Sequence, residues 1–153
     1  MADKYYIKQG TPQDVAFFSI FVRASDREEI EAAVENPWQC FMETLYAPHE
    51  TFVLVVNDEP ICLYGTSVTP EGFGCPFMIA TDSMYRYRKI MHSVAKDYIA
   101  GKLQEFDVLV NYVYSKHTSA IRWLKSLGFV IGEPEVYGVK GELFHPFHAV
   151  AEE

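Results

Sequence analysis

The sequence predicts an α/β (α+β) domain, a central mixed, mostly antiparallel sheet of six to seven strands with helices on both faces. Three observations carry this. Hydrophobic periodicity gives the order strand, helix, helix, helix, three strands, helix, strand, helix, two strands. The run Val108–Val130, VLVNYVYSKHTSAIRWLKSLGFV, reads as a buried strand, a polar break, a short helix, a glycine stop and a new strand. Hydrophobic residues make up 49% of 153 residues, enough to bury the core of one domain over 1–153.

The elements follow in chain order. Tyr5–Gln9 alternates and reads as a first strand. Thr11 is a good N-cap, Pro12 suits the first helical position, and Asp14 favours the first turn. The helix 12–22 places Val15, Phe18 and Val22 on one side. Ser25-Asp26-Arg27-Glu28 reads as a capping box for a helix 26–34, with Ile30, Ala33 and Val34 inward. A third helix is expected over 37–46 after Asn36-Pro37. Strands 51–56 and 61–69 form a hairpin around Asn57–Pro60, and a turn at Pro70-Glu71-Gly72 leads to a strand 74–81. Pro76 removes one ladder donor there, which predicts an edge, a bulge or splaying. The longest helix, 83–100, has an apolar stripe of Tyr87, Ile90, Met91, Val94 and Tyr98 and closes at Gly101. Val108–Tyr114 is apolar at nearly every position, as in a strand covered on both faces. Ala120, Ile121, Leu124 and Leu127 share one face of the next helix, and Gly128 ends it. Segments 129–137 and 143–150 are the last strands.

Composition excludes several function classes. The net charge of −8 disfavours nonspecific binding to nucleic acid or to an anionic membrane. No run approaches the ~20 apolar residues of a membrane-spanning helix. The opening MADKYYIKQG lacks a signal core. Cys40, Cys62 and Cys75 show neither zinc nor disulfide spacing and read as small buried hydrophobes of a reducing cytoplasm. His92, His145 and His148 show no metal-ligand pattern, so no metal is expected.

The central unit resembles the C-terminal motif of the GNAT superfamily of N-acetyltransferases. Ala120, Leu127, Gly128 and Phe129 match that motif, while His117 stands at its usual asparagine and Leu124 at its usual catalytic tyrosine. The resemblance spans essentially the whole chain in element order. It implies an acetyl-CoA site at the strand 74–81 and the helix after it. Ala80, Thr81 and Asn111 would hold the pantetheine arm where the strands splay. At the helix start the superfamily carries Arg/Gln-x-x-Gly-x-Gly/Ala, and the matching run is Arg86-Tyr87-Arg88-Lys89-Ile90-Met91. Lys89 and Met91 fill both glycine positions, where side chains would crowd a diphosphate on the amides. The alternative is that Arg86, Arg88 and Lys89 hold an anion with their side chains. Leucine at 124 cannot donate a proton. Tyr114, Ser115 and His117, at the break after the fifth strand, are the substitutes, and His117 suits proton transfer near neutral pH. Asp82, Glu71 and Glu50 fall near the same sheet end, in turn contexts that suit solvated carboxylates.

Three runs are similar to phage GNAT-like proteins of the internal virion protein A family. They are Pro60–Gly65, Tyr85–Met91, and Asn111–Tyr114 with Thr118-Ser119 and Ile121–Lys125. This resemblance implies a phage protein made in the host bacterial cytoplasm, with the virion as a second location. It implies a degenerate acetyl-CoA site and a role in virion assembly or infection through contact with a host or virion protein. No nucleic acid and no membrane partner is expected, and a homodimer is an option that GNAT domains often take. The alternative is an active N-acetyltransferase acting on an amine of a host protein or small molecule. An open cleft between the fourth and fifth strands favours the enzyme. A cleft plugged by Tyr87, Met91, Trp123 or Leu124 favours the contact protein.

Overall fold

The computed structural model describes residues 2–36, 39 and 50–152. The third helix expected over 37–46, and Cys40 within it, lie outside the described residues.

Strand β1 (Tyr5–Gln9) leads into α1 (Pro12–Phe21) and α2 (Ala24–Ala33). Strands β2 (Glu50–Val56), β3 (Glu59–Val68) and β4 (Gly74–Ala80) form a meander. A 3-10 turn (Asp82–Tyr85) precedes the long helix α3 (Arg88–Glu105). Strand β5 (Val108–Tyr114), helix α4 (Thr118–Ser126), β6 (Val130–Ile131), β7 (Glu135–Val136) and β8 (Leu143–Val150) complete the chain. The sheet runs β1-β2-β3-β4-β5-β8-β6, with β7 also on β8. Among the described residues only the β4–β5 pair is parallel.

The expected class holds, with eight strands among the described residues rather than six or seven. The extra one arises because the last expected strand over 129–137 breaks at Gly132-Glu133-Pro134 into β6 and β7. Proline lacks the ladder donor. The hairpin turn uses Asn57 and Asp58, both with positive φ (49° and 63°), as a two-residue turn between right-twisted strands requires.

Each helix end has a physical cause. At α1 the Thr11 side chain accepts from the Asp14 amide and the Asp14 carboxylate accepts from the Thr11 amide, a complete capping box. Gly128 follows α4 with φ +98°. Two expected ends move. Helix α2 starts at Ala24 with Arg23 as N-cap, so Ser25 is inside it and caps nothing. The start is set by the sheet: Val22 bridges Thr81, and the Arg23 amide donates to the Ala80 carbonyl at 2.8 Å. Helix α3 runs through Gly101 to Glu105, because the residues beyond it are anchored. Lys102 pairs with Glu50 and Glu105, and Leu103 packs under β5. The first turn expected of that helix is instead the 3-10 turn.

The core has two sides. Val15, Phe18 and Val22 of α1 pack on Val53, Val55, Leu63 and Ile79. On the opposite face Tyr87, Met91 and Val94 of the α3 stripe pack on Leu54, Val56, Ile61, Cys62 and Tyr64. Burying such side chains stabilises by roughly 1.5–3 kcal/mol each. Helix α2 lies on the α1 face, through Ile30 and through Ala32 against Tyr114 and Phe144. Helix α4 lies on the α3 face, with Ala120, Ile121, Leu124 and Leu127 against Leu109, Val113 and Phe147.

Candidate functional site: the seam between β4 and β5

Strands β4 and β5 pair at one position, Gly74 with Leu109, and then diverge. The reason is partly Pro76. The Thr81 amide donates to Ile61 of β3 at 3.0 Å, so alternation turns the edges of Ala80, Met78 and Pro76 toward β5. Pro76 therefore lacks a donor on the edge where β5 would pair, as the splaying reading of Pro76 expects.

Side chains satisfy the open edges instead. Asn111 spans the gap: its Nδ2 donates to the Pro76 carbonyl at 2.6 Å, and its Oδ1 accepts from the Tyr112 amide at 2.7 Å. At the wide end, the Ala80 amide donates to Asp26 Oδ2 at 2.8 Å. The Tyr114 amide donates to Glu29 Oε2 at 3.0 Å. Asp26 and Glu29 are three apart on α2, hence on one helical face. One helix thus caps both diverging strands.

Asp26 is 5% exposed and forms an ion pair with Arg23, whose Nε is 2.8 Å from Oδ2. That N–H has no aligned hydrogen bond, so the contact is ionic rather than directional. Burial pushes the Asp26 carboxyl above the usual carboxylate range, and the Arg23 guanidinium and the Ala80 amide pull it back.

The gap is a cavity of about 470 Å³, within the size range of small-molecule sites. Met78, Met91, Val94, Trp123, Leu124 and Phe129 give it apolar walls. Arg23, Asp26, Glu29 and His117 also line it. The cavity therefore connects the α2 face of the sheet with the α3–α4 face. Met91, Trp123 and Leu124 wall the cleft without closing it, and Tyr87 is buried in the core beside it. Trp123 faces the cavity alongside Leu124.

The expected site residues separate into groups. His117 lies at the N-cap of α4, 6% exposed and in the cavity wall. Its Nδ1 is 3.4 Å from Glu29 Oε2. Its Nε2 is buried with no hydrogen-bond partner among the described residues. Tyr114 is buried against Phe144, and its hydroxyl donates to Glu142 at 3.3 Å, outside the cavity wall. Ser115 donates its amide to Leu143 and is also outside that wall. Geometry thus brings only His117 of the three to the cleft.

Among the cofactor positions, Asn111 is in the wall, and Ala80 is at the wide end with its amide taken by Asp26. Thr81 turns its amide to β3. Arg86, Arg88 and Lys89 are exposed around the start of α3. Arg86 is 3.8 Å from Glu59 and lies over the Tyr87 ring, and Arg88 lies over Tyr85. Cys62 also lines the cavity, but burial pushes its thiol up to about 12, so it supplies no thiolate. His145 is engaged by the Gly132 carbonyl at 2.9 Å. No group of three or more metal-ligating side chains occurs among the described residues. No helix among them is long and apolar enough to cross a membrane.

Arg23, Asp26 and Glu29 escape sequence reasoning, because an acidic helix reads as a solvated face. The available signal was the i, i+3 spacing of Asp26 and Glu29 on the face that carries Ile30.

No protein-family model matches the sequence, and no curated protein sequence matches it. Solved structures do match its fold. The ribosomal-protein-S18-alanine N-acetyltransferase of Escherichia coli is 16% identical, with 98% of this chain and 96% of that one covered and a TM-score of 0.71. A GNAT-family acetyltransferase from Streptococcus pneumoniae is 12% identical over 97% and 100%, with a TM-score of 0.65. Spermidine N-acetyltransferase of Vibrio cholerae, in complex with CoA and spermine, is 13% identical over 96% and 95%, with a TM-score of 0.69. At these identities the likeness is one of fold, and the fold is that of GNAT N-acetyltransferases.

Proposed function

We propose that the protein is an acetyl-CoA-dependent N-acyltransferase acting on an amine. The observation that carries this is the open apolar cavity of about 470 Å³ through the sheet at the β4–β5 seam. An unfilled cavity of that kind costs stability, which a ligand-binding role offsets.

The residues present fit the ligand, with one change from the usual arrangement. The apolar walls suit an acyl-pantetheine arm. Alternation places the Met78 amide on the gap-facing edge, where an extended arm can pair with it as a strand would. Arg86, Arg88 and Lys89 hold the phosphates with their side chains, since Lys89 and Met91 replace the glycines of an amide cradle. Bound acetyl-CoA supplies an activated acetyl thioester. The chain's own contribution is to orient the arm, exclude water and accept the amine's proton at His117 Nε2. The acceptor amine enters from the α2 face, where Arg23 neutralises Asp26 and the Glu29 carboxylate leaves the end wall acidic, which favours a cationic partner.

Titration calorimetry with acetyl-CoA tests this. Binding within about 1 μM to 1 mM is expected, the usual span of enzyme substrates. It should weaken about tenfold or more in Arg86→Ala/Arg88→Ala, because charge-assisted phosphate contacts are lost. Absence of heat and of any thermal shift at millimolar ligand would overturn the reading.

A second reading is favoured by Lys89 and Met91, which occupy both glycine positions, and by the three phage-like runs. In it the protein is phage-encoded, made in the host cytoplasm, and works in virion assembly or infection through contact with a host or virion protein, without acyl transfer. Its signature is the protein in purified virions together with no acetyl-CoA binding.

A further inference from the structure

We infer that Glu29 is a positioning residue, which makes His117 a proton shuttle able to replace the missing tyrosine acid. The inference rests on the acyltransferase reading for its chemistry and on this chain's geometry for its parts.

His117 is 94% buried by its 6% exposure, yet Nε2 has no partner among the described residues. Leaving such an atom unpaired costs about 1–3 kcal/mol, so its persistence asks for a reason. The atom belongs to a residue in the wall of the passage between β4 and β5. Nδ1 faces Glu29 Oε2 at 3.4 Å. A carboxylate can only accept, so Nδ1 must carry the ring proton and Nε2 must be the bare, basic nitrogen. Glu29 is itself held, since the same Oε2 accepts from the Tyr114 amide at 3.0 Å. The 3.4 Å contact is long, as such bonds often are before substrate tightens them.

The arrangement supports one closed proton cycle. The acceptor nitrogen bonds to the thioester carbonyl carbon while His117 Nε2 takes the amine's proton. The resulting imidazolium lies against the Glu29 carboxylate, which stabilises its charge. The carbon–sulfur bond then breaks, and Nε2 gives the same proton to the departing sulfur. The products are an N-acyl amine and a free thiol, with no other reactant needed. Leu124 has no part in this, which explains how a leucine is tolerated there.

Nitrogen-15 NMR of the imidazole in the intact wild-type protein is the primary test. The neutral ring should carry its proton on Nδ1, with Nε2 bare. A wild-type ring protonated on Nε2 would overturn the inference without any variant. In Glu29→Ala the Nε2–H form should appear, and kcat should fall about a hundredfold, the scale of one general acid–base group. Glu29→Gln keeps an acceptor for Nδ1 and for the Tyr114 amide but loses the charge. It should keep the tautomer and lose about tenfold in kcat, on that same scale. KM for acetyl-CoA should stay unchanged in both. An unchanged tautomer in Glu29→Ala, or unchanged kcat in both variants, would refute the role of Glu29. If Glu29→Ala fails to fold, the wild-type ring and Glu29→Gln still decide. Failure of acetyl-CoA to bind would remove the acyltransferase reading, whereas the tautomer still reports on the Glu29–His117 pair.

Discussion

The two halves of the sheet satisfy the same backbone groups by different means. In the β2–β3–β4 meander, carbonyl and amide meet each other in a nearly continuous register, from Glu50 with Thr66 to Val68 with Gly74. Side chains are left free to pack, and Leu54, Ile61 and Leu63 are fully buried. At the β4–β5 seam the ladder fails after one pair, and Asn111, Asp26 and Glu29 stand in for it. The difference teaches where a fold can keep a hole. Backbone pairing closes a sheet, whereas side-chain capping satisfies the edges and leaves room between them.

The largest expected effect falls at the seam. Asp26→Ala leaves Arg23 buried without its counter-charge and the Ala80 amide without its acceptor. We expect a loss of about 3–5 kcal/mol, measured by urea unfolding. If the loss is under 1 kcal/mol, water satisfies the seam and the capping account fails.

The meander has a point of comparable sensitivity. A Cβ built on Gly65 would stand 1.9 Å from the Glu50 carbonyl oxygen. Gly65→Ala should therefore cost about 3 kcal/mol by overpacking, read from the same unfolding curves. It should leave acetyl-CoA affinity alone if the variant still folds.

Asn111→Ala removes both bonds of the spanning side chain but buries no charge. About 1–2 kcal/mol is expected. The sharper outcome is in the ligand: with Pro76 and Tyr112 released, acetyl-CoA affinity should change while the core stays intact. Equal affinity would show that Asn111 serves the sheet alone.

The smallest effect concerns the outer edge of the paired half, where Lys8 of β1 holds Asp14 of α1 at 2.8 Å. Burial raises the Asp14 carboxyl, but bonds from Lys8 and Thr11 outweigh it and hold it below its ordinary value of 3.8. A carboxyl lowered in the folded state stabilises fully above its unfolded value and loses that contribution as pH falls through the folded one. The stability gap between wild type and Asp14→Asn, about 1 kcal/mol at neutral pH, should therefore shrink below about pH 4. A gap independent of pH would place the effect in packing rather than charge.

Local chemistry was readable wherever an element's neighbours in sequence decide it. Thr11 announces its own N-cap, Asn57-Asp58 their turn, and the stripe from Tyr87 to Tyr98 its buried face. The GNAT-like order was likewise legible, whereas Pro76 announced only that an edge, a bulge or splaying would occur near it, and whether the cleft between the fourth and fifth strands stands open was not. Expectations failed where distant residues overrode local signals. Ser25 is a sound cap by composition, yet the bond from Arg23 to Ala80 starts the helix before it. Gly101 is a sound stop, yet Lys102 and Leu103 find partners that carry the helix on.

The candidate site divides along the same line. His117 could be picked out as a polar residue at a strand end, and it is the one of three expected groups that reaches the cavity. Its partner could not, because Glu29 is 88 residues away in the chain and one of several acids on a polar helix. The sequence by itself determined the elements, their order and the loss of the tyrosine and glycines, since those follow from residue type and local spacing. Only the tertiary structure decided that α2 would cap two diverging strands, hold the cleft open and leave one imidazole nitrogen bare. Those are contacts between groups far apart in the chain, and no local pattern encodes which buried amide will meet which carboxylate.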